Sequence, residues 1–242
     1  MTVRPPNLVL QALPDAEYRR LHSHLTQVNI RKGEILHQQD EPPRGVYFIT
    51  AGVAELAVSN EEGKEVALSI VGSEGMIGER AIMEGGLPLI RCAMVIAGTA
   101  LKLRPEMMKV EFERGGELHA MTMRCVEARM AETAQTALCN QTHNIRQRAA
   151  RLLLTIADRL HEDAVALTHD ELARMLALAR PGLTLGIGEL QEAGGVSASR
   201  GRVNITDRAR LEEQACECYR VMRDAVYNAF HHSQYQDHAR GA

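Results

Sequence analysis

The sequence predicts an α+β chain in two unlike parts, an antiparallel β-roll followed by a helical module, and three observations carry the prediction. From residue 28 to about 104, short apolar alternations such as Val46, Phe48 and Val53, Leu56, Val58 are cut by Gly33, Gly45, Gly52, Gly63, Gly72 and Gly75. A period of two marks half-buried strands, and glycines at their ends mark the turns between them. After Pro105 the apolar spacing lengthens to the three and four of helices and stays there. Near the end, two short amphipathic segments are followed by "EAGGVSASRGRVNITD", which reads as a tight hairpin.

Taken in order, "PDAEYRRLHSHLTQ" (14–27) is a short helix with Leu21 and Leu25 on one face. The strands "VNIRKGEILHQQDEP", "GVYFITAGVAELAVSNEEGKEVALSIVGSEG" and "RCAMVIAGTALKL" follow, with "NEEGKE" as a hairpin tip. Pro105 opens a helix that Gly115-Gly116 closes, and a long helix runs from about Glu117 to Asn140. On it, Met121, Cys125, Ala128, Glu132 and Gln135 share one face, while Leu118, Met121, Val126, Met130, Ala134 and Ala137 form a broader stripe. So wide a stripe predicts a parallel partner helix from a second copy as well as packing on its own roll. "NIRQRAARLLLTIADRL" is a helix with Ile145, Ala149, Leu152, Leu153, Ile156 and Leu160 as its core face. Thr168 opens "HDELA", "RMLALARPGLTLGIGELQ" supplies a second helix, and "DRARLEEQACECYRVMRDAVYNAF" forms one helical tail. The expected division is an effector domain over 1–113, a dimerisation helix over 114–142 and a helical module with its tail over 143–242.

Composition narrows the class. The chain has 242 residues, room for two modest domains, and a net charge of −3 argues against a polycation that coats nucleic acid. No apolar run reaches membrane-spanning length and the first residues lack a signal-peptide core, so the expected compartment is the cytoplasm, with no membrane partner. Cys92, Cys125, Cys139, Cys216 and Cys218 show neither a C-x-x-C pair nor zinc spacing, and are read as reduced thiols with no metal. On a continuous helix Cys216 and Cys218 would point to different faces. His231, His232 and His238 in the tail are read as a frayed polar end. No nucleophile–base pair, phosphate loop or metal spacing points to an enzyme, and no catalytic residue is assigned.

A short helix, a turn, a second helix and a two-stranded wing make a winged helix-turn-helix, a DNA-reading module. With the roll and long helix before it, the chain resembles the CRP/FNR family of bacterial transcription regulators. The markers are "KGEILHQQDEP", "GVYFITAG", "EEGKEVALSIVGSEGMIGE", "LTHDELARMLALAR" and "RGRVNITD". "ALCNQTHNIRQRAARLLL" and "QACECY" point to a branch of that family. The resemblance implies a cyclic-nucleotide-binding-like roll, a homodimer through the long helix, promoter DNA as target and RNA polymerase as partner. Where the family holds a cyclic nucleotide, Gly78 and Glu79 match the ribose-binding pair. Arg91 and Cys92 match the phosphate clamp only approximately, and Thr133 on the long helix completes the set. Cys92 stands where a hydroxyl is expected, and a thiol is a weak donor to phosphate. Cyclic AMP is therefore disfavoured, and another small effector, or none, is expected. The alternative makes Glu79 a structural carboxylate with Arg91 as its ion-pair partner. An iron–sulfur switch fails for want of clustered thiolates. His22, His24, His37 and His119 stay open as haem ligands.

The second helix raises a question of its own, because Pro181, Gly182, Gly186 and Gly188 all fall within it. Pro181 is tolerated near the first helical position, but each interior glycine costs roughly 0.5–1 kcal/mol relative to alanine. Gly182 is expected to bare backbone N–H groups to phosphate, with Arg180 and Thr184 reaching bases, His169 beside them, and Arg200 and Arg202 of the wing anchoring the backbone. Leu183, Ile187 and Leu190 keep the inward face apolar. Two functions compete: an effector-responsive DNA-binding regulator, and a small-molecule sensor whose DNA module has decayed. Site-selective DNA binding separates them.

Overall fold

A computed structural model describes residues 4–82 and 89–231. Helices α1 (Leu8–Ala12) and α2 (Asp15–His22) lead into six strands of one antiparallel sheet. These are β1 (Thr26–Ile30), β2 (Ile35–His37), β3 (Val46–Ser59), β4 (Glu65–Val71), β5 (Met76–Ile77) and β6 (Arg91–Leu103). The order is β1-β6-β3-β4, with β2 on β6 and β5 on β3. Register shifts along β3 against β6 bend these long strands, so that one sheet folds into the expected roll. Helix α1 was not anticipated. It is capped by Asn7, whose buried amide donates to the carbonyls of Ile49 and Gly75 and ties the chain's start to the roll.

Helix α3 (Pro105–Glu113) carries its proline at the start, and α4 runs Glu117–Thr142. Its N-terminal amides are capped from a distance, by the Glu17 carboxylate at 3.0 Å from both Glu117 N and Leu118 N. Leu118, Met121, Cys125, Ala128, Glu132, Thr136 and Cys139 are buried at three- and four-residue spacing. Leu118, Met121 and Cys125 share a core with α1, α2 and the roll. Met121 therefore belongs to the monomer's own core and not to a partner-facing stripe. The outward seam runs Met123, Glu127, Met130, Ala134, Ala137 and Gln141, all exposed at alternating spacings of four and three.

The second module opens with α5 (Ile145–Leu160), whose Asn144–Gln147 capping box sets where it leaves α4. Helices α6 (His169–Met175), with a second box from Thr168 and Glu171, and α7 (Arg180–Glu192) follow. The wing is β8 (Val196–Ser199) and β9 (Arg202–Ile205), turning at Arg200-Gly201 with Gly201 at φ +78°. A strand the sequence reading missed, β7 (Ala164–Val165), pairs with β9, so the wing sheet has three strands. The tail is also two helices, α8 (Arg208–Gln214) and α9 (Cys218–His231), broken at 215–217. Roll and module are not separate bodies: Val53, Ala67, Ile70 and Val95 share one core with Leu152, Leu153, Leu172 and Leu183. Residues 83–88 of the expected ligand loop, and His232 and His238 of the tail, lie outside the described residues.

Candidate effector pocket and nucleic-acid interface

Between the roll and α4 lies a cavity of about 810 Å³, within the range of small-molecule sites. Leu56, Ile77, Ile90, Val126 and Met130 make its wall mainly apolar, and His37, Glu79, Arg80, Arg129 and Thr133 supply the polar groups. Of the predicted pocket residues, the structure brings Gly78, Glu79, Cys92 and Thr133 to this cavity. Gly78 holds φ +98°, and a Cβ there would strike the Gly45 carbonyl, so the chain can reach Glu79 only through glycine. Glu79 opens a 3-10 turn (Glu79–Ile82) and is paired with the Arg129 guanidinium. Its alternative partner, Arg91, is thereby corrected. Burial draws Arg129 down to about 10, which leaves it cationic at neutral pH. Glu79 Oε2 and His37 Nε2 are buried without a hydrogen-bond partner and point to what a ligand could satisfy. Burial, reinforced by Arg80, lowers the His37 pKa and keeps the ring neutral. Burial likewise pushes the Cys92 thiol up, so it carries no charge into the cavity.

Arg91 departs from expectation. It does not line the cavity. Alternate residues of a strand face opposite ways, so while Cys92 looks inward, the Arg91 guanidinium turns to Glu65 and to Glu55, the latter at 3.3 Å. Glu55 is 1% exposed, and one arginine at its edge does not match two carboxylates. Arg174 of α6 supplies the other charge, at 2.7 Å from Glu55 and 2.6 Å from Glu65. The four side chains link the strand beside the cavity to α6, the first helix of the helix-turn-helix. Lys32 to Glu171 at 2.7 Å makes a second bridge between the same two parts. Nothing in the spacing of Glu55, Glu65, Arg91 and Arg174 signals this set, because its members come from four elements.

The breaker-rich helix forms without interruption from Arg180 to Glu192. Leu183, Ile187 and Leu190 are buried against α5 and α6, as the pattern requires. The glycines divide by environment. A Cβ on Gly186 would lie 3.0 Å from Ile145 Cγ2 and one on Gly182 3.1 Å from Ile145 Cδ1, whereas Gly188 has open space. Gly182 thus lets α7 approach α5 closely. Arg180 is exposed and pairs loosely with Asp170 at 3.4 Å. His169 Nδ1 and Thr184 Oγ1 lie 3.2 Å apart, which joins two predicted contacts across the helix pair. Arg200 and Arg202 are exposed at the wing and form no ion pair with a described carboxylate. Leu185 on the same helix is 72% exposed.

A roll with a cavity of small-molecule size against the long helix, which leads on to a winged helix-turn-helix, defines a DNA-binding transcription regulator. Residues 27–104 match the cyclic nucleotide-binding domain family and residues 147–214 the Crp-like helix-turn-helix domain family, together more than half of the chain. The chain belongs to the CRP/FNR family of transcription regulators. It is 21% identical over 214 residues to the CRP-like cAMP-activated global transcriptional regulator of Mycobacterium tuberculosis, covering 86% of this chain and 96% of that one. It is 26% identical over 196 residues to the transcriptional regulator SdrP of Thermus thermophilus, covering 78% and 93%. In fold it is similar to a Crp/Fnr regulator from Eubacterium rectale, at TM-score 0.68 and 20% identity over 85% of this chain and 96% of that one. FixK2 from Bradyrhizobium japonicum also scores 0.68, at 15% identity over 79% and 98%. No described helix is long and apolar enough to cross a membrane.

Proposed function

We propose that the chain is a homodimeric reader of promoter DNA in which occupancy of the roll cavity is relayed to the winged modules, with RNA polymerase as its partner in the cytoplasm and no catalytic role. One observation carries the relay. Cys92 faces the cavity while its neighbour Arg91 holds the Glu55–Glu65–Arg174 network, so a ligand that shifts this strand also shifts α6. The seam from Met123 to Gln141 supplies the second copy's docking face, and the same helix lines the cavity through Arg129, Met130 and Thr133. On DNA, Arg180 reads base edges with Thr184 and His169 beside it, Gly182 allows the close seating of α7, and Arg200 and Arg202 hold phosphates.

The effector is a small, mainly apolar molecule whose polar group hydrogen-bonds Glu79 and His37. Cyclic AMP fits this cavity poorly: Arg91 is committed elsewhere, and Cys92 offers no hydroxyl. Calorimetry should find cyclic AMP binding no tighter than roughly millimolar, near 4 kcal/mol. Micromolar binding that Glu79→Ala and Arg91→Ala both abolish would overturn the effector assignment. Selection of bound genomic fragments tests the function itself: enrichment of one sequence motif is expected, and fragments bound without preference would leave only the sensor.

A further inference from the structure

The spacing of cysteines and histidines along the sequence signals no metal site, yet four ligand-type atoms converge in the folded chain. Cys139 Sγ, a nitrogen of His143, Cys216 Sγ and Cys218 Sγ lie within 4.8 Å of one another. Cys139 sits near the end of α4 and His143 is its C-cap, while Cys216 lies in the break between α8 and α9 and Cys218 is the first residue of α9. That break overturns the expectation of sulfurs on opposite faces, since the two residues are not on one continuous helix. All three thiols are buried and form a small core of their own.

We propose that Cys139, His143, Cys216 and Cys218 bind one zinc ion in a closed Cys3His site that fixes the junction between the long helix and the DNA module.

The geometry matches that ion. Tetrahedral zinc with bonds of about 2.3 Å to sulfur and 2.0–2.1 Å to nitrogen requires S···S near 3.8 Å and S···N near 3.6 Å. The chain places Cys139 Sγ 3.6 Å from Cys216 Sγ, and Cys218 Sγ 3.6 Å from His143 Nδ1. The other ring nitrogen of His143 lies 3.2 Å from the Glu217 carboxylate, the carboxylate–histidine arrangement that fixes tautomer and orientation at metal sites. The Gln135 amide donates to Cys218 Sγ at 3.1 Å, as suits a thiolate. Charge gives a second, independent argument. Arg148 and Arg151, on the first turns of α5, are 8% and 5% exposed, form no ion pair with a described carboxylate, and each leaves Nε without a partner. Two buried cations with no described carboxylate beside them would be costly. Three thiolates on a dication carry a net charge of −1, which offsets that positive field. On binding, each thiol releases its proton to solvent and its sulfur pair bonds the metal, with no change of oxidation state. With four protein ligands no position remains open, so the ion is structural. It would pin the start of α9 to the end of α4, where Asn144 begins α5 and the DNA module departs.

The test is metal analysis of the full-length protein purified under reducing conditions from zinc-replete cells. One zinc per chain is expected, and X-ray absorption at the zinc edge should give three sulfurs and one nitrogen. Cobalt(II) added to the reduced, metal-free chain should produce the visible bands of tetrahedral thiolate ligation. Cys218→Ser should lose the metal; should it fail to fold, absorption spectroscopy on the unaltered chain still decides. Glu217→Gln should keep the cobalt spectrum and weaken affinity about 10–100-fold, which a merely structural contact would not do. The proposal is overturned if the reduced protein holds no zinc and takes up neither metal, or if the bound zinc shows only oxygen and nitrogen neighbours. Recovery of Cys139 and Cys216 as a disulfide from reducing cells would equally overturn it.

Discussion

Ala177 sits at φ +50° in the turn between α6 and α7, a conformation that costs a residue with a Cβ about 1–2 kcal/mol. Ala177→Gly should therefore stabilise the module by up to about 1 kcal/mol, the relief being reduced by the extra freedom glycine gains in the unfolded chain. Chemical denaturation checks this, and a loss of stability would show that the Ala177 methyl makes a contact worth more than the strain. At the interface, Arg180 and Arg202 should behave differently. Arg180→Ala should lower affinity for the cognate site by about 1–3 kcal/mol and blur one base position, whereas Arg202→Ala should weaken all sequences alike and flatten the salt dependence. Titrations on selected fragments at two salt concentrations distinguish them. If Arg180→Ala changes nothing, base readout lies elsewhere on α7.

Among elements, α7 shows why breaker content alone is a poor guide. Gly188 faces open space, so Gly188→Ala should stabilise by about 0.5–1 kcal/mol through helix propensity. Gly186→Ala places its methyl 3.0 Å from Ile145 and should lose that gain or more, because Ile145 must move and α5 with it. Equal effects of the two substitutions in thermal melts would mean that α7 does not pack on α5 as described. Helix α4 makes a parallel case with two faces. Its inward face was legible as the Met121, Cys125, Ala128, Glu132 series, but the wider stripe merged that face with the outward seam. Met130, 69% exposed, lies on the seam. Met130→Glu should place like charges across a two-fold axis and give monomers in sedimentation that bind DNA weakly. A variant that remains dimeric at micromolar concentration would place the interface elsewhere.

At the scale of the whole molecule, the roll and the DNA module share a hydrophobic core, and two ion-pair sets cross between them. Arg159 of α5 adds a third, bound to Glu132 at 2.7 Å and to Glu74 at 3.0 Å. Arg174→Ala removes the cation that α6 gives to Glu55 and Glu65, leaving buried Glu55 with Arg91 alone. Breaking such a set from one side leaves an uncompensated charge, so the docked arrangement should weaken. Faster proteolysis at the junction around 143–144, with a changed affinity for DNA, is expected. Unaltered cleavage and binding would mean that the shared apolar core, and not the network, holds the module in place.

Periodicity, glycine placement and capping chemistry made the order of roll, long helix and winged module legible from the residues alone. Thr168 with Glu171 and the Arg200-Gly201 turn are local signals whose meaning needs only neighbours a few positions away, whereas Gly78 and Glu79 carry meaning only through the family resemblance. Other features were decided by contacts over long separations. Arg91 reads as a clamp by position, but strand alternation turns it from the cavity toward carboxylates on β3 and β4. Glu79 finds its partner 50 residues on, in Arg129. Cys139 and Cys216, 77 residues apart, meet only because α9 folds back along α4. No local period encodes such meetings: they follow from packing whole elements, whose buried faces fix which distant polar groups must satisfy one another.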